Sequence, residues 1–230
     1  MSLHQVLITG ANRGIGLEFT KQYAKDGWNV LACCRHPQSA IDLTALATAH
    51  SNVKIHTLDV ADFAQIDALA TQLKDESIDV LINNAGVYPA SHFGDVDYAA
   101  WAEGFKINSM APLKMAEAFV QQVTRSQLKK MATLSSKMGS IDDNTSGESY
   151  SYRSSKCAVN MVMKSVSIDL KPYGISVVTL HPGWVQTDMG GSNAMISVQT
   201  SVTGLRKVIE GLSLQTTGQF IAYDGKLITW

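Results

Sequence analysis

Tyr152 and Lys156 stand four positions apart, so on a helix their side chains share one face. Seven Tyr and 14 Lys in 230 residues give about 0.4 such pairs by chance, so the pair needs context. The chemistry that would supply it is a carbonyl reduction. A hydride added to a carbonyl leaves a developing alkoxide that needs a proton, and a phenol can provide one. A free phenol ionises near pH ~10, and a neighbouring ammonium lowers that value by stabilising the phenolate. Lys156 is expected to do this and to hold a cofactor ribose. Ser136, in Leu134-Ser135-Ser136-Lys137, follows a strand pattern, where its hydroxyl can hydrogen-bond the substrate oxygen. Two adjacent serines also suit an ordinary turn, and Ser135 is the weaker candidate. Asn108 lies inside a helical pattern with Pro112 four positions on. Proline has no N–H, so the Asn108 carbonyl loses its partner and the helix should kink. That carbonyl can hold a water linking Lys156 to solvent; the competing account is an exposed Asn beside a packing kink.

A second constellation opens the chain. Thr9-Gly10-Ala11-Asn12-Arg13-Gly14-Ile15-Gly16 joins a strand pattern to a helical one. Glycines there permit a tight turn and let the backbone approach a pyrophosphate, whose charge rests on free N–H groups of the helix N-terminus. The spacing is Gly-x-x-x-Gly-x-Gly rather than the commoner Gly-x-Gly-x-x-Gly. The next strand ends in Cys33-Cys34-Arg35-His36, without the carboxylate that would accept hydrogen bonds from an NAD ribose. Arg35 and Arg13 are expected to grip a 2′-phosphate instead, which makes NADP(H) the expected cofactor. No metal site is expected.

The elements that must position these residues follow from the hydrophobic pattern. Short apolar runs at Val6–Thr9, Asn29–Cys34, Val53–Thr57, Val80–Asn83, Met131–Ser135, Ser176–His181 and Phe220–Ala222 read as buried parallel strands. Between them lie helical patterns at Gly14–Asp26, Ser39–Ala49, Phe63–Leu73, Tyr98–Arg125, Ser151–Leu170 and Val198–Leu212, with Asp62 and Asp97 as caps. This alternation predicts an α/β fold, a doubly wound Rossmann-type parallel sheet of about seven strands with helices on both faces. No linker or composition shift divides residues 1–230, so one dinucleotide-binding domain is expected. The helix holding Tyr152 is apolar on most sides. It is either wedged wholly into its own core or shared with a second subunit, and a homodimer or homotetramer is the preferred reading. With 45% apolar residues, 17% charged and a formal charge of −1, the chain should not be disordered and has no overall pull towards nucleic acid or lipid. No apolar run is long enough to span a bilayer. The start Met1-Ser2-Leu3-His4-Gln5 lacks a signal-peptide pattern, and three cysteines form no disulfide framework. A cytoplasmic location is expected.

Taken together, these residues resemble the short-chain dehydrogenase/reductase family of the classical type. The matches are Thr9-Gly-x-x-x-Gly14-x-Gly16, Asn83-Asn84-Ala85-Gly86, Asn108, Ser136, Tyr152-x-x-x-Lys156 and Pro182-Gly183, in the family's order along nearly the whole chain. Ser136-Lys-Met-Gly-Ser-Ile, His181-Pro-Gly-Trp-Val-Gln-Thr-Asp-Met and Trp230 look like the sniffer-type carbonyl reductases and C-factor-like proteins within it. The resemblance implies a catalytic tetrad of Asn108, Ser136, Tyr152 and Lys156 and reduction of a small carbonyl substrate, an aldehyde or ketone. The alternative it carries is a C-factor-like signalling or NADPH-sensing protein. It implies cofactor contacts from Gly10, Asn12, Arg13, Gly14, Ile15, Gly16, Arg35, Asp59, Val60, Asn84, Ala85, Gly86, Tyr152, Lys156, Pro182, Gly183, Val185 and Thr187. Asp59 would meet the adenine, although its position also suits a turn. Tyr88, Trp184 and Met189 are expected to line an apolar substrate pocket.

Overall fold

The computed structural model describes residues 4–230; Met1–Leu3 lie outside the described residues. Seven strands form one sheet: β1 (Gln5–Thr9), β2 (Asn29–Cys34), β3 (Val53–Thr57), β4 (Val80–Asn83), β5 (Lys130–Leu134), β6 (Ser176–His181) and β7 (Gln219–Ala222). Their order is β3-β2-β1-β4-β5-β6-β7 and every pairing is parallel. The seven expected strands are all present, displaced by at most one residue at an end. Seven helices connect them: α1 (Gly14–Lys25), α2 (Ile41–Ala49), α3 (Phe63–Gln72), α4 (Tyr98–Phe105), α5 (Ala111–Thr124), α6 (Tyr150–Asp169) and α7 (Val198–Glu210).

Helices cover both faces of the central strands, so β1, β4 and β5 are buried along their whole length, whereas the edge strand β3, expected to be buried, is so only at Val53. Val6, Ile8, Val30 and Ala32 pack against Phe19 of α1, Leu43 of α2 and Leu205 of α7. Leu7, Leu31, Leu81 and Met131 pack on the other side against Ile66 of α3, Phe119 of α5 and Met163 of α6. Successive residues of one strand thus serve opposite cores. This is a doubly wound Rossmann-type α/β fold. Strand order reverses between β1 and β4, and that reversal opens a crevice at the carboxyl ends of the strands.

Local chemistry sets most boundaries. Asp62 and Asp97 cap α3 and α4 as expected, each accepting two backbone N–H groups, worth about 1 kcal/mol apiece. The helix expected over 98–125 is interrupted. α4 passes through a π-helical segment, Lys106–Met110, before α5 begins, and the Ala111 N–H donates to the Lys106 carbonyl five residues back. Pro112 cannot donate to the Asn108 carbonyl, and the chain widens by one π-helical turn there. The segment expected as helix from Ser39 begins with a 3₁₀ turn, Pro37–Ser39, and α2 starts at Ile41. α6 buries Val159, Met163 and Val166 but leaves Met161 and Ile168 69% and 63% exposed, so it is not wedged wholly into its own core. Among the described residues no helix is long and apolar enough to cross a membrane.

Candidate active site

The turn after β1 is built by close approaches. Gly10 and Gly14 adopt φ of +65° and +53°, a region that costs other residues strain. A Cβ on Gly16 would lie 2.1 Å from the Gly10 carbonyl oxygen, so no side chain fits there. Asn84, beyond β4, braces this turn: its Nδ2 donates to the carbonyls of Thr9 and Gly10 at 2.9 and 3.1 Å. The Thr9 hydroxyl oxygen in return accepts the N–H groups of Asn84 and Ala85 at 3.0 and 3.1 Å. α1 starts without a side-chain cap, so its first N–H groups stand at the glycine turn, where an anion can satisfy them.

The turn forms one wall of a cleft of about 780 Å³. Gly10, Asn12, Arg13, Gly14, Ile15 and Gly16 line it together with Arg35, Asp59, Val60, Asn84, Ala85 and Gly86. Tyr152 and Lys156 from α6 and Pro182 and Thr187 from the segment after β6 complete it. Two residues expected on the cofactor, Gly183 and Val185, are not among those lining the cleft. Val185 is 4% exposed and bridges to Ile196, and Gly183 packs its Cα side against Ile196 and Tyr223. Asp59 has the turn role: its Oδ1 accepts the Ala61 N–H at 3.0 Å, while the residue also lines the cleft. Asp42 was not foreseen. It sits in the first turn of α2, lines the cleft with Arg35, and supplies a carboxylate where the end of β2 has none. Asp188 was likewise missed; its carboxylate pairs with the Arg13 guanidinium at 2.9 Å, both side chains being exposed. Asp42 carries no local signal and reaches the cleft only through the packing of its segment, whereas Asp188 stands within the His181–Met189 motif without having been singled out.

At the inner end of the cleft the reacting groups meet. Tyr152 and Lys156 are both buried on α6, 8% and 4% exposed. Ser136 follows β5, close enough to the Tyr152 phenol to influence its ionisation; its Oγ accepts the Met138 N–H at 3.2 Å. Tyr88 lays its ring on that of Tyr152, with centroids 4.4 Å apart, and its hydroxyl meets Ser149 Oγ at 2.6 Å. The Lys156 Nζ donates to the Leu134 carbonyl at 2.9 Å and lies 5.7 Å from the Tyr152 ring centroid. Electrostatics here depart from expectation. Burial pushes the Tyr152 phenol up to about 12, opposed by the nearby Ser136 hydroxyl and reinforced by Tyr88. Burial also pulls Lys156 down to about 8. The environment therefore keeps the proton on the phenol at neutral pH, where sequence reasoning expected a lowered value.

Asn108 is neither exposed nor facing the cleft. It is 1% exposed, on the π-helical segment, and its side chain knits three elements. Oδ1 accepts the Val87 N–H at 2.9 Å, and Nδ2 donates to the Val87 carbonyl at 2.9 Å and to Ser155 Oγ at 3.0 Å. It thereby fixes the strand-end segment Gly86–Val87 against the helix that carries Tyr152. Arg153, adjacent to Tyr152, was also missed. Its guanidinium donates to the carbonyls of Gly147 and Glu148 and to Ser146 Oγ, tying the polar loop 137–149 to α6. Met189 lines the cleft and is 53% exposed, whereas Trp184, 49% exposed, is not among the lining residues.

Residues 4–195 match the family described as short chain dehydrogenase. The chain belongs to this family. As a short chain dehydrogenase it is an oxidoreductase, and it shares its fold with solved carbonyl reductases. The NADPH-bound carbonyl reductase from chicken fatty liver superposes with a TM-score of 0.94 at 36% identity, over 100% of both chains. The carbonyl reductase Sniffer of D. melanogaster superposes with a TM-score of 0.92 at 35% identity, again over 100% of both chains. Among curated relatives, C-signal of Myxococcus xanthus is 45% identical over 164 residues, which is 71% of this chain and 99% of that protein.

Proposed function

We propose that this short chain dehydrogenase is an NADPH-dependent carbonyl reductase acting on an aldehyde or ketone. The observation that carries the reading is the convergence of a buried, protonated phenol, a serine hydroxyl and a buried lysine at the end of one dinucleotide-sized cleft. The cleft fits such a cofactor. Gly16 leaves no room for a Cβ beside the Gly10 carbonyl, and α1 begins without a side-chain cap, as a pyrophosphate cradle requires. Arg35 at the end of β2 is the phosphate-gripping residue. Arg13 joins it by leaving Asp188. Resemblance to an NADPH-bound carbonyl reductase over the full chain supports the same assignment.

When bound, the nicotinamide dinucleotide supplies the hydride. Ser136 donates its hydroxyl hydrogen to the substrate oxygen and orients the carbonyl beside Tyr152. Tyr152, held neutral by burial, gives its proton to that oxygen as negative charge develops. Lys156 remains largely cationic below about pH 8, and its field favours proton departure from the phenol. Asn108 acts behind these groups, holding Val87 and Ser155. A phenol raised to about 12 suits reduction better than the reverse reaction, which must start from phenolate. The half-exposed Tyr88, Trp184 and Met189 supply an apolar rim for the substrate. The apolar outer face of α6, with Met161 and Ile168 exposed, supports assembly into a homo-oligomer, which light scattering tests.

Purified protein should oxidise NADPH with some member of an aldehyde and ketone panel. Tyr152→Phe should abolish turnover and leave NADPH binding intact. NADPH binding without turnover of any carbonyl would remove the reading. The C-signal relative favours a second one, in which the nucleotide-bound state acts as a signal; it requires the biological effect to survive in Tyr152→Phe.

A further inference from the structure

His181 ends β6, and the β5–β6 ladder ends one residue earlier, at Leu134 paired with Leu180. One more backbone bond follows, from the Ser135 N–H to the Leu180 carbonyl at 2.7 Å. Beyond it the chain turns away with Ser136, and the next strand-to-strand bond is made by a side chain. The Lys137 N–H donates to His181 Nδ1 at 3.1 Å. The imidazole thus extends the ladder past its end and anchors the 3₁₀ turn Lys137–Gly139 whose N-cap is Ser136. The opposite side of that turn is pressed on α6: a Cβ on Gly139 would lie 2.7 Å from the Lys156 backbone carbon. The Ser136 hydroxyl is therefore located between a fixed helix and one imidazole acceptor.

We propose that His181 is a positioning residue for the Ser136 hydroxyl, acting as a neutral acceptor that holds the Lys137 N–H and with it the turn carrying Ser136. The inference rests on the carbonyl reductase reading for its catalytic meaning and on the Lys137–His181 contact for its geometry. Nδ1 can accept only while it is unprotonated, so the anchor requires a neutral ring. The surroundings enforce this. Burial and the Lys137 charge lower His181 to about 4, against the opposing pull of Asp143 and Asp224. Those two carboxylates are themselves engaged, Asp143 by Lys137 at 2.8 Å and Asp224 by Lys226 at 2.8 Å. Protonation converts Nδ1 from acceptor to donor, which sets two N–H groups against each other and releases the turn.

Three forms of the full chain test this: wild type, His181→Leu and His181→Asn, the last placing an amide oxygen near the Nδ1 position. His181→Leu should lower kcat about tenfold, as one lost hydrogen bond implies, with the NADPH KM unchanged. His181→Asn should recover most of that loss. In wild type kcat should fall as pH drops through about 4, and His181→Asn should lose this limb. Independently of turnover, the wild-type Lys137 amide resonance should titrate with the His181 ring, and its hydrogen exchange should accelerate in His181→Leu. A His181→Leu kcat within twofold of wild type, or a His181→Asn no better than His181→Leu, overturns the proposal. So does a Lys137 amide indifferent to the ring. A wild-type protein that binds NADPH yet reduces no carbonyl overturns the reductase reading instead, and the Lys137 amide then decides the anchor by itself.

Discussion

Lys156 is 4% exposed, with its Nζ on the Leu134 carbonyl, and burial takes its pKa from 10.5 to about 8. The folded protein therefore carries an ammonium that the unfolded chain would hold more easily in water. A drop of that size, at 1.36 kcal/mol per unit, corresponds to about 3 kcal/mol of lost stability at pH 7. Because the folded value lies below the unfolded one, the unfolded chain binds more protons between pH 8 and 10.5. Stability contributed by this group thus rises with pH across that window, and at pH 10 only about 1 kcal/mol of the penalty remains. Lys156→Met, of similar length, removes the charge but leaves the Leu134 carbonyl without its donor, which costs about 1–2 kcal/mol at either pH. The variant should then be inactive yet more stable than wild type by about 1–2 kcal/mol at pH 7, a rise of roughly 2–8 °C in Tm. Urea unfolding without added nucleotide, at pH 7 and pH 10, reads the difference. The offset from the lost hydrogen bond cancels between the two conditions, so the advantage should shrink by about 2 kcal/mol. A wild-type-to-variant difference that stays flat between pH 7 and pH 10 would refute the argument, whatever its sign.

Other expectations follow from the same structure. Gly16→Ala places a Cβ 2.1 Å from the Gly10 carbonyl, so calorimetric NADPH affinity should fall at least about tenfold as the turn opens, with a stability loss of about 1–3 kcal/mol. Unchanged affinity would mean the cofactor does not lie on that turn. Arg35→Asp removes the phosphate grip and adds a ribose acceptor, and the kcat/KM ratio for NADPH over NADH should fall by about a hundredfold or more. A ratio within threefold of wild type would move the 2′-phosphate elsewhere. Asn108→Leu unpairs the Val87 N–H and carbonyl and takes one donor from Ser155 Oγ, which keeps its bond to the Tyr152 carbonyl, and should lower stability by about 2–4 kcal/mol in thermal melts. A loss of turnover without any loss of stability would instead give Asn108 a direct part in the chemistry.

What was legible in the sequence is what neighbours along the chain decide. The central strands fell within a residue of their expected ends because burial on both faces leaves an unbroken apolar run. The glycine turn was readable because positive φ and the absence of a Cβ are properties of single residues. Tyr152 and Lys156 share a face because helical geometry repeats every 3.6 residues. Pro112 announced a disturbed helix, since a missing N–H is a local fact, although not the π-helical form it took. Tertiary structure decided the rest. It turned the Asn108 side chain inward onto Val87 and Ser155, brought Asp188 against Arg13, and carried Asp42 to the cleft from a segment with no motif. It also reversed the electrostatic expectation at Tyr152. Spacing alone shows a lysine beside a phenol, but the proton's preference is set by how much water the surrounding segments exclude. Tyr88, 64 residues away in the chain, covers the ring, and desolvation there outweighs the lowering influence of Ser136. Burial sums contacts from the whole fold, and so only the fold could determine it.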